Sequence, residues 1–453
     1  MAEQQTYSFE EAPFSAIHRK IRAGAFMGQI CDGYTLGIVG IALSYATKPL
    51  GLTSFWLGLI GAGALLGILF GSLIIGSVAD RIGRKFLFPA VICASVLLSA
   101  AQFLVSDPLA LAILRFFLGM TIGADYTVGI ALLSEWSPRG LRPRILSWLL
   151  VFWTIGYVIS YAAGVFLNSL GEVSWRMILC TSAVPGVITL LLRIGIPESP
   201  GWLAGKGRNA EALGLVQRYL GTQYVLPAIS ESTRSVSWFA LFSKELRFNT
   251  LVSGVFFAAQ VLPFFAISIF LPLVLSDLKI ENPNASGILY NALTMAGVLI
   301  GTWLIDRISR RAYLLWTFYL AAAILTVMTV WQGMPGQIAL FLLAAFSLVL
   351  AISIVLEFSY PPELFPTELR ASGVGLTVAI SRIGAAGGTF LLPIVSEKFG
   401  VFASLGGCIA TLIIGGVVCQ IWAPETSDKF RKPDALGDGS PALAAVPSAS
   451  VKN

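Results

Sequence analysis

Charge is the scarcest thing in this chain. Asp, Glu, Lys and Arg together make up 12% of its 453 residues, about half the share of an ordinary soluble domain. A soluble fold with so few charges has too little polar surface to stay dissolved. Histidine is nearly absent: His18 stands alone, ahead of the first apolar run, which excludes a histidine proton relay. The five cysteines (Cys31, Cys93, Cys180, Cys408, Cys419) form no CxxC pair and fall inside apolar runs. They read as small packing residues rather than as disulfides or metal ligands. No nucleophile–base set, metal cluster or phosphate-binding glycine loop is present, so no enzyme, metal or cofactor is expected. A signal-peptide layout is missing too. Residues before Ala23 are polar and acidic, then basic, and the run that follows is too long for a cleaved h-region.

What is plentiful is apolar length. Hydrophobic residues make up 56% of the chain and the mean hydropathy is +0.81. About twelve runs, the first at 23–46 and the last at 401–423, are long enough to cross a bilayer, which takes roughly 20 residues each. In lipid the backbone must satisfy its own hydrogen bonds, so these runs are expected to be helices. The net charge of +6 is unevenly placed. Lys and Arg gather before the first run and after the second, fourth, sixth, eighth, tenth and twelfth, while the alternate loops are nearly bare. The positive-inside rule then puts both termini in the cytoplasm of a multi-pass plasma-membrane protein, with a bacterial inner membrane as the expected site. The same alternation argues against nucleic acid as the partner of a basic chain. A monomer in the lipid bilayer is expected.

The chain also repeats itself. Asp80-Arg81-Ile82-Gly83-Arg84-Lys85 returns as Asp306-Arg307-Ile308-Ser309-Arg310-Arg311, and the aspartates lie 306 − 80 = 226 residues apart. Glu135 in Ser134-Glu135-Trp136-Ser137-Pro138 returns as Glu363 before Pro366 (363 − 135 = 228), and Pro197-Glu198-Ser199 returns as Pro424-Glu425-Thr426 (425 − 198 = 227). Three landmarks with one spacing mean two copies of one unit. The expected fold is an all-α membrane protein of twelve transmembrane helices in two pseudo-symmetric six-helix bundles. Its expected divisions are a cytoplasmic N-terminal segment 1–22, a first bundle 23–195, a cytoplasmic linker 196–248, a second bundle 249–426 and a disordered tail 427–453. Within the linker, Asn209–Leu220 has helical spacing and an Asn cap.

The repeated phrases are charged hinges between apolar runs. An acid at one helix end can pair with an Arg of a neighbouring loop and release it in another conformation. Asp80, Arg81, Arg84, Glu135, Arg139 and Arg142, with Asp306, Arg307, Arg310, Glu363 and Arg370, are therefore candidates for a conformational latch; the plainer reading is a set of positive-inside anchors. At these residues the chain resembles the major facilitator superfamily over about residues 15 to 426. Gly76-x3-Asp80-Arg81-x-Gly83-Arg84-Lys85 resembles its loop motif. Pro197-Glu198-Ser199-Pro200-Gly201-Trp202-Leu203, Glu363-Leu364-Phe365-Pro366-Thr367-x2-Arg370 and Gly123-Ala124-Asp125-Tyr126 are similar to its sugar-porter and metabolite:proton symporter branch. The chain departs from the sugar porters at Gly201, where they carry Arg, at Ser309, and at Gln260, where a Gln-Gln pattern is reduced to one. Those departures argue against a hexose. The absence of a Gly-Pro-x-x-Gly-Gly run on the fifth helix resembles no antiporter and favours uptake.

Few ionisable residues lie away from helix ends. They are Asp32, Asp125, Glu357 and Arg382. Each costs about 2.5–3.5 kcal/mol or more against lipid, so each is expected to face an aqueous cavity or a partner. The resemblance implies that helices one, four, seven and ten line such a cavity, which places Asp32, Asp125, Gln260 and Glu357 there. A carboxyl that meets each side of the membrane in turn is what proton coupling requires, and Asp32, Asp125 and Glu357 are its candidates; the alternative is a permanent pair of Asp32 or Glu357 with Arg382. Arg382 suits a substrate carboxylate or phosphate, with Gln260, Tyr126, Trp153, Tyr157 and Asn291 as further substrate contacts. Trp148, Trp153, Tyr157, Phe264 and Phe265 could stack on a ligand, though such aromatics are more often packing or interface belts. Arg115, opening the fourth run, reads as a snorkelling surface residue, and Gly384, Gly387 and Gly388 as sites of close helix approach. Three acids against one Arg suggest a cavity of net negative charge. The sequence thus points to proton-coupled import of a small polar metabolite, an organic acid or sugar-like molecule, by alternating access. A proton-driven exporter and a transporter of cations remain alternatives.

Overall fold

A computed structural model describes residues 7–169, 175–226, 238–366, 369–427 and 429–430. Most of the expected tail, and linker residues 227–237, lie outside that set. Among the described residues, twelve helices are long and apolar enough to span a membrane. The first half comprises α1 (Ala16–Leu50), α2 (Ser54–Ile82), α3 (Arg84–Ala101), α4 (Pro108–Trp136) and α5 (Arg142–Ser169), then α6 (Trp175–Cys180) with α7 (Ala183–Arg193) as one span. The linker carries α8 (Pro200–Gly205) and α9 (Asn209–Leu220). The second half comprises α10 (Arg247–Ile269), the short α11 (Leu271–Asp277), α12 (Pro283–Leu304) and α13 (Arg310–Val330). It closes with α14 (Gly336–Ile354) and α15 (Leu356–Leu364) as one span, α16 (Arg370–Phe399) and α17 (Val401–Trp422). A two-residue parallel ladder, Tyr7–Ser8 on Tyr224–Val225, ties the N-terminal segment to the linker. It is the one strand pairing among the described residues.

The apolar runs became helices for the reason given, but three of them are interrupted. The seventh ends at Phe270, where Pro272 follows at the start of α11 and withholds a backbone N–H. The sixth breaks at Thr181–Ser182, and the tenth at Val355, so that Glu357 sits in the first turn of α15. α9 has the expected bounds, yet its cap is Arg208 rather than Asn209, and no side chain caps it.

Small residues set how closely the spans approach. Gly67 and Gly71 on α2 face Gly119 and Gly123 on α4, two small-xxx-small stripes in register. A Cβ at Gly119 would stand 2.0 Å from the Ala64 carbonyl oxygen. In the second half Gly384 and Gly388 meet Ala258 and Leu262 as expected. Gly387 does not belong with them: it has nothing within 4 Å and is exposed.

The two halves touch mainly at the end away from the linker. There Gly40 abuts the Ile269 carbonyl, Gly58 the Phe390 carbonyl and Gly287 the Tyr161 ring, and Ser54 hydrogen-bonds Glu397. Leu73, Phe86, Leu97 and Phe117 are exposed on the outer faces of the bundles, where acyl chains would cover them.

These contacts make a simple prediction. Gly119→Val should separate α2 from α4 at a cost of about 1–3 kcal/mol, read as a lower melting temperature and less monodisperse protein in detergent. Gly375→Ala, with nothing within 4 Å, should match wild type.

Candidate functional site

Apart from Arg115, the charges of the interior fall into two clusters. In the first half, Arg193 at the end of α7 is wholly buried and grips both oxygens of Asp125 on α4, with Nη2 2.8 Å from Oδ2. Its Nε donates to the Gly24 carbonyl at 3.1 Å and Nη1 to the Phe88 carbonyl at 2.8 Å. The guanidinium also stands 3.7 Å above the Phe88 ring. All its strong partners are therefore met, as a buried cation needs. A Cβ at Gly28 would fall 2.0 Å from Arg193 Nη2 and 2.7 Å from Asp125 Oδ2, so glycine makes room for the pair. Asp32 lies one turn further along that face of α1. It is 1% exposed, within electrostatic reach of Asp125 and Arg193, and its Oδ2 has no hydrogen-bond partner among the described residues.

In the second half, Glu357 is buried with Oε1 unpartnered, and Arg382 on α16, half-buried with Nε unpartnered, is its charged neighbour. No ion pair joins Arg382 to Glu357 or to Asp32 among the described residues, though Arg382 is the cation that acts on Glu357. Arg382 stands 5.9 Å over the Phe265 ring. Gln260 donates to the Ser353 carbonyl at 3.1 Å and to its hydroxyl, and Asn291 to the Gly287 carbonyl at 2.9 Å. Both amides keep their oxygens, Oε1 and Oδ1, unpartnered.

Between the clusters, Trp153 and Tyr157 of α5 stack at 5.3 Å and meet Phe264 and Phe265 of α10 at 5.8–6.3 Å. Tyr126 is half-buried next to Asp125. The Trp153 Nε1 and Tyr157 hydroxyl are buried in the aromatic bridge, with Tyr126 and Ser268 as polar groups beside them.

Two expectations change here. Arg115 does not snorkel: it is 0% exposed, and Nη1 donates to the Thr35 carbonyl at 3.0 Å. The interior is not three acids against one Arg. With Arg115 and Arg193 it is three against three, and the argument for net negative charge falls.

The hinges pair as a repeated set. Arg84 reaches Glu135 at 2.7 Å and Asp80 at 3.5 Å; Arg310 reaches Glu363 at 3.4 Å and Asp306 at 3.8 Å. Arg139 and Arg142 do not join Glu135. Both bind Glu10 of the N-terminal segment, at 3.2 and 2.9 Å. Arg307 covers the Trp303 ring at 3.9 Å. Arg81 and Arg370 are exposed and enter no ion pair among the described residues.

Sequence reasoning passed over Glu198 and Glu425 as hinge residues. Glu198 accepts from the backbone N–H of Arg84 and Lys85 at 3.0 and 3.1 Å, capping α3. Glu425 does the same for α13 through Arg310 and Arg311 at 3.1 and 3.2 Å, and also receives the Ser309 hydroxyl. The signal was their shared spacing. The Gly83-to-Ser309 change has a reason as well. A Cβ at Gly83 would stand 2.3 Å from Glu198 Oε2, whereas the Ser309 side chain is a ligand of Glu425.

The repeat also aligns the interiors. Gln260 lies 260 − 32 = 228 residues after Asp32, and Ser353 lies 353 − 125 = 228 after Asp125. The hydrogen-bonded Gln260–Ser353 pair thus holds, in uncharged form, the positions of the two acids.

Two bundles of six spans with charges buried at their centre define a membrane transporter, not an enzyme. A model described as "Sugar (and other) transporter" matches residues 15–431, and the chain belongs to that family of the major facilitator superfamily. The Escherichia coli K12 "Inner membrane metabolite transport protein YgcS" is 37% identical over 92% of this chain and 94% of its own. The partially occluded inward-open xylose transporter XylE of E. coli superposes with a TM-score of 0.75 at 18% identity, over 91% of this chain and 99% of that one. A D-xylose-proton symporter gives 0.74 at 15% identity, over 90% and 98%.

Glu425 yields a pH test. Partial burial pushes its carboxyl up, but the Ser309 hydroxyl and the N–H groups of Ser427, Arg311 and Arg310 outweigh this and hold it below the ordinary carboxylate range. A depressed folded-state value stabilises above the unfolded-state value, and that stability is lost as pH falls through the folded one. Glu425→Gln should therefore lower the melting temperature at pH 7 by about 1–3 °C, small because the site is solvent-screened. The difference from wild type should close below roughly pH 4.

Proposed function

We propose that the chain imports a small polar metabolite, an organic acid or sugar-like molecule, together with protons across a bacterial inner membrane. The observation that carries this reading is Asp32, a carboxyl buried in the membrane interior with an oxygen left unpartnered, one turn from the Asp125–Arg193 pair. A group that costs several kcal/mol to bury uncompensated earns its place by changing protonation. Asp32 and Asp125 are the proton carriers, with Glu357 as a third acid in the second half.

The substrate site lies between the halves. Arg382 supplies the positive charge for a carboxylate. The Trp153 and Tyr157 donors and the Gln260 and Asn291 acceptors supply hydrogen bonds, and Tyr126 flanks them. Neutral overall charge in the interior permits a single anion to enter with a proton without leaving excess charge buried. The similarity to a D-xylose-proton symporter supports coupling, and that to a metabolite transport protein supports the substrate class.

Both termini and the linker lie in the cytoplasm, consistent with the basic loops. The halves then meet at the periplasmic end and part at the cytoplasmic end, an inward-facing arrangement. Arg84 with Glu135, Asp80 and the Glu198 cap, and their counterparts Arg310, Glu363, Asp306 and Glu425, form the latch that breaks and re-forms as the halves rock. Arg81, Arg307 and Arg370 serve as cytoplasmic anchors, while Arg139 and Arg142 tie down the N-terminal segment.

The test has two stages. A thermal-shift screen of purified protein against acids, sugars and amines identifies a ligand, since binding to the folded state raises the melting temperature. Uptake of that ligand into proteoliposomes is then measured with an imposed proton gradient. Wild type should accumulate it above equilibrium and lose accumulation when a protonophore is added. Asp32→Asn and Asp125→Asn should reach equilibrium only. Accumulation by either Asn form would remove that residue as a carrier, and accumulation raised by the protonophore would mean export.

A further inference from the structure

The N-terminal segment lies across the linker end of the first half as a strap, held at successive points. Tyr7–Ser8 pair with Tyr224–Val225 of the linker, and the Tyr7 N–H donates to the Gln223 carbonyl at 3.0 Å. Phe9 and Ala12 turn inward and are buried. The Glu10 carbonyl accepts from the Arg139 N–H at 2.8 Å, and its carboxylate binds Arg139 and Arg142. The strap then reaches His18, the single histidine of the chain, in the first turn of α1. His18 is 3% exposed, stacked on Phe14 at 5.5 Å and edge-on to Trp136 at 6.5 Å. Trp136 in turn meets Tyr219 of α9 at 6.1 Å.

The bonds of that ring fix its charge. Nδ1 lies 3.0 Å from the Ser15 backbone N–H, which can donate only to a bare ring nitrogen. The proton of the neutral ring is therefore on Nε2, which is buried without a hydrogen-bond partner among the described residues. The arrangement is a capping box with histidine where Glu or Gln is usual. A second proton has to go to Nδ1. The new N–H meets the Ser15 hydroxyl, also at 3.0 Å, but the Ser15 N–H loses its acceptor. An imidazolium is then buried at the positive end of α1. The Arg22 guanidinium, 4.7 Å over the Phe14 ring, adds a second cation to that corner. Charged groups on the elements around the ring are Glu10 of the strap, Arg19 and Arg22 of α1, Glu135, Arg139 and Arg142 at and beyond the end of α4, and Arg218 of α9. None of these acts on the imidazole. Among the described residues the Trp136 backbone is the one polar group outside the strap that does.

We propose that His18 is a pH switch for the strap: the neutral ring seats the N-terminal segment, and the protonated ring releases it. The strap is seated at neutral pH and above, and lets go as the pH falls through and below the ordinary histidine range, about 6.5. The strand pairing shows what it controls. With the strap seated, Tyr224 and Val225 are tied to the first half, and only the chain beyond them is free tether to the second half. With it released, that tether lengthens and Arg139 and Arg142 lose Glu10, so the halves rock against a looser restraint. The linker face, read above as cytoplasmic, is where imported protons arrive, and the switch answers to their accumulation. His18 itself carries no proton across the membrane, so the inference stands whichever acid does.

The test uses full-length protein purified without a histidine tag and follows hydrogen–deuterium exchange at the amides of residues 7–15 and of Arg139. After correction for the chemical pH dependence of exchange, wild type should lose protection there by about fivefold or more between about pH 7.5 and 5.5, a range in which ordinary carboxylates stay ionised. The one imidazole signal of histidine-labelled protein should titrate with the same midpoint. His18→Gln keeps an uncharged acceptor for the Ser15 N–H and should stay protected throughout. A wild-type strap still protected at the acid end overturns the proposal. So does a His18→Gln strap that loses protection as wild type does, because another group is then the sensor. Should His18→Gln not fold, the wild-type midpoints decide alone: release that departs from the imidazole titration by more than about one pH unit rules His18 out.

Discussion

A guanidinium removed from water must bring its counter-charge and its hydrogen-bond acceptors with it, and the first half is arranged around that demand. Arg193 receives a carboxylate from α4, carbonyls from α1 and α3 and an aromatic face from α3. Four spans are thereby fixed to one another at a single point. Taking away one partner of such a pair costs roughly 3–5 kcal/mol, because the other charge stays buried. Gly28 and Gly24 on α1 follow from the same demand, since a side chain at Gly28 would displace the ion pair.

Outside the interior, charge does different work. The linker-end hinges are built on backbone as well as side chains. Glu198 and Glu425 cap the first turns of α3 and α13, where free N–H groups and the helix dipole favour an anion. Each acid also follows the last span of its own half. A cap of this kind joins the beginning of the third span to the end of the sixth inside one bundle, which favours motion of that bundle as a rigid body. The Arg84–Glu135 and Arg310–Glu363 pairs tie the fourth and tenth spans to the same corners.

The scaffold was legible because lipid leaves few choices: apolar length implies helix, and the 226–228 repeat implies two bundles. The interruptions at Phe270, Thr181–Ser182 and Val355 were harder to see, since a hydropathy run does not register a local loss of backbone bonding. The site was half legible. Asp32, Asp125, Glu357 and Arg382 stood out as charges in mid-run. Arg193 and Arg115 did not, because an Arg near the end of a run looks like an interface residue until a partner is known. Asp125 needed that partner, and a count of three acids to one Arg was the clue that cations had been missed. Glu10 was out of reach: nothing local says that an acid in an N-terminal segment will bind Arg139 and Arg142.

A duplicated scaffold need not carry duplicated chemistry. Asp32 and Asp125 map onto Gln260 and Ser353, which meet the same geometric need by a neutral hydrogen bond. Glu357 maps onto Gly129 (357 − 129 = 228) and Arg382 onto Thr154 (382 − 154 = 228). The first half thus keeps two acids and two arginines and the second half one of each, at positions the other half has left uncharged. Had the charges been copied with the fold, like would oppose like across the pseudo-twofold axis, and burial would cost the repulsion as well as the desolvation. Divergence of the two interiors lets one half hold a tight ion pair while the other keeps Glu357 and Arg382 apart, each with an unpartnered polar atom to offer a guest.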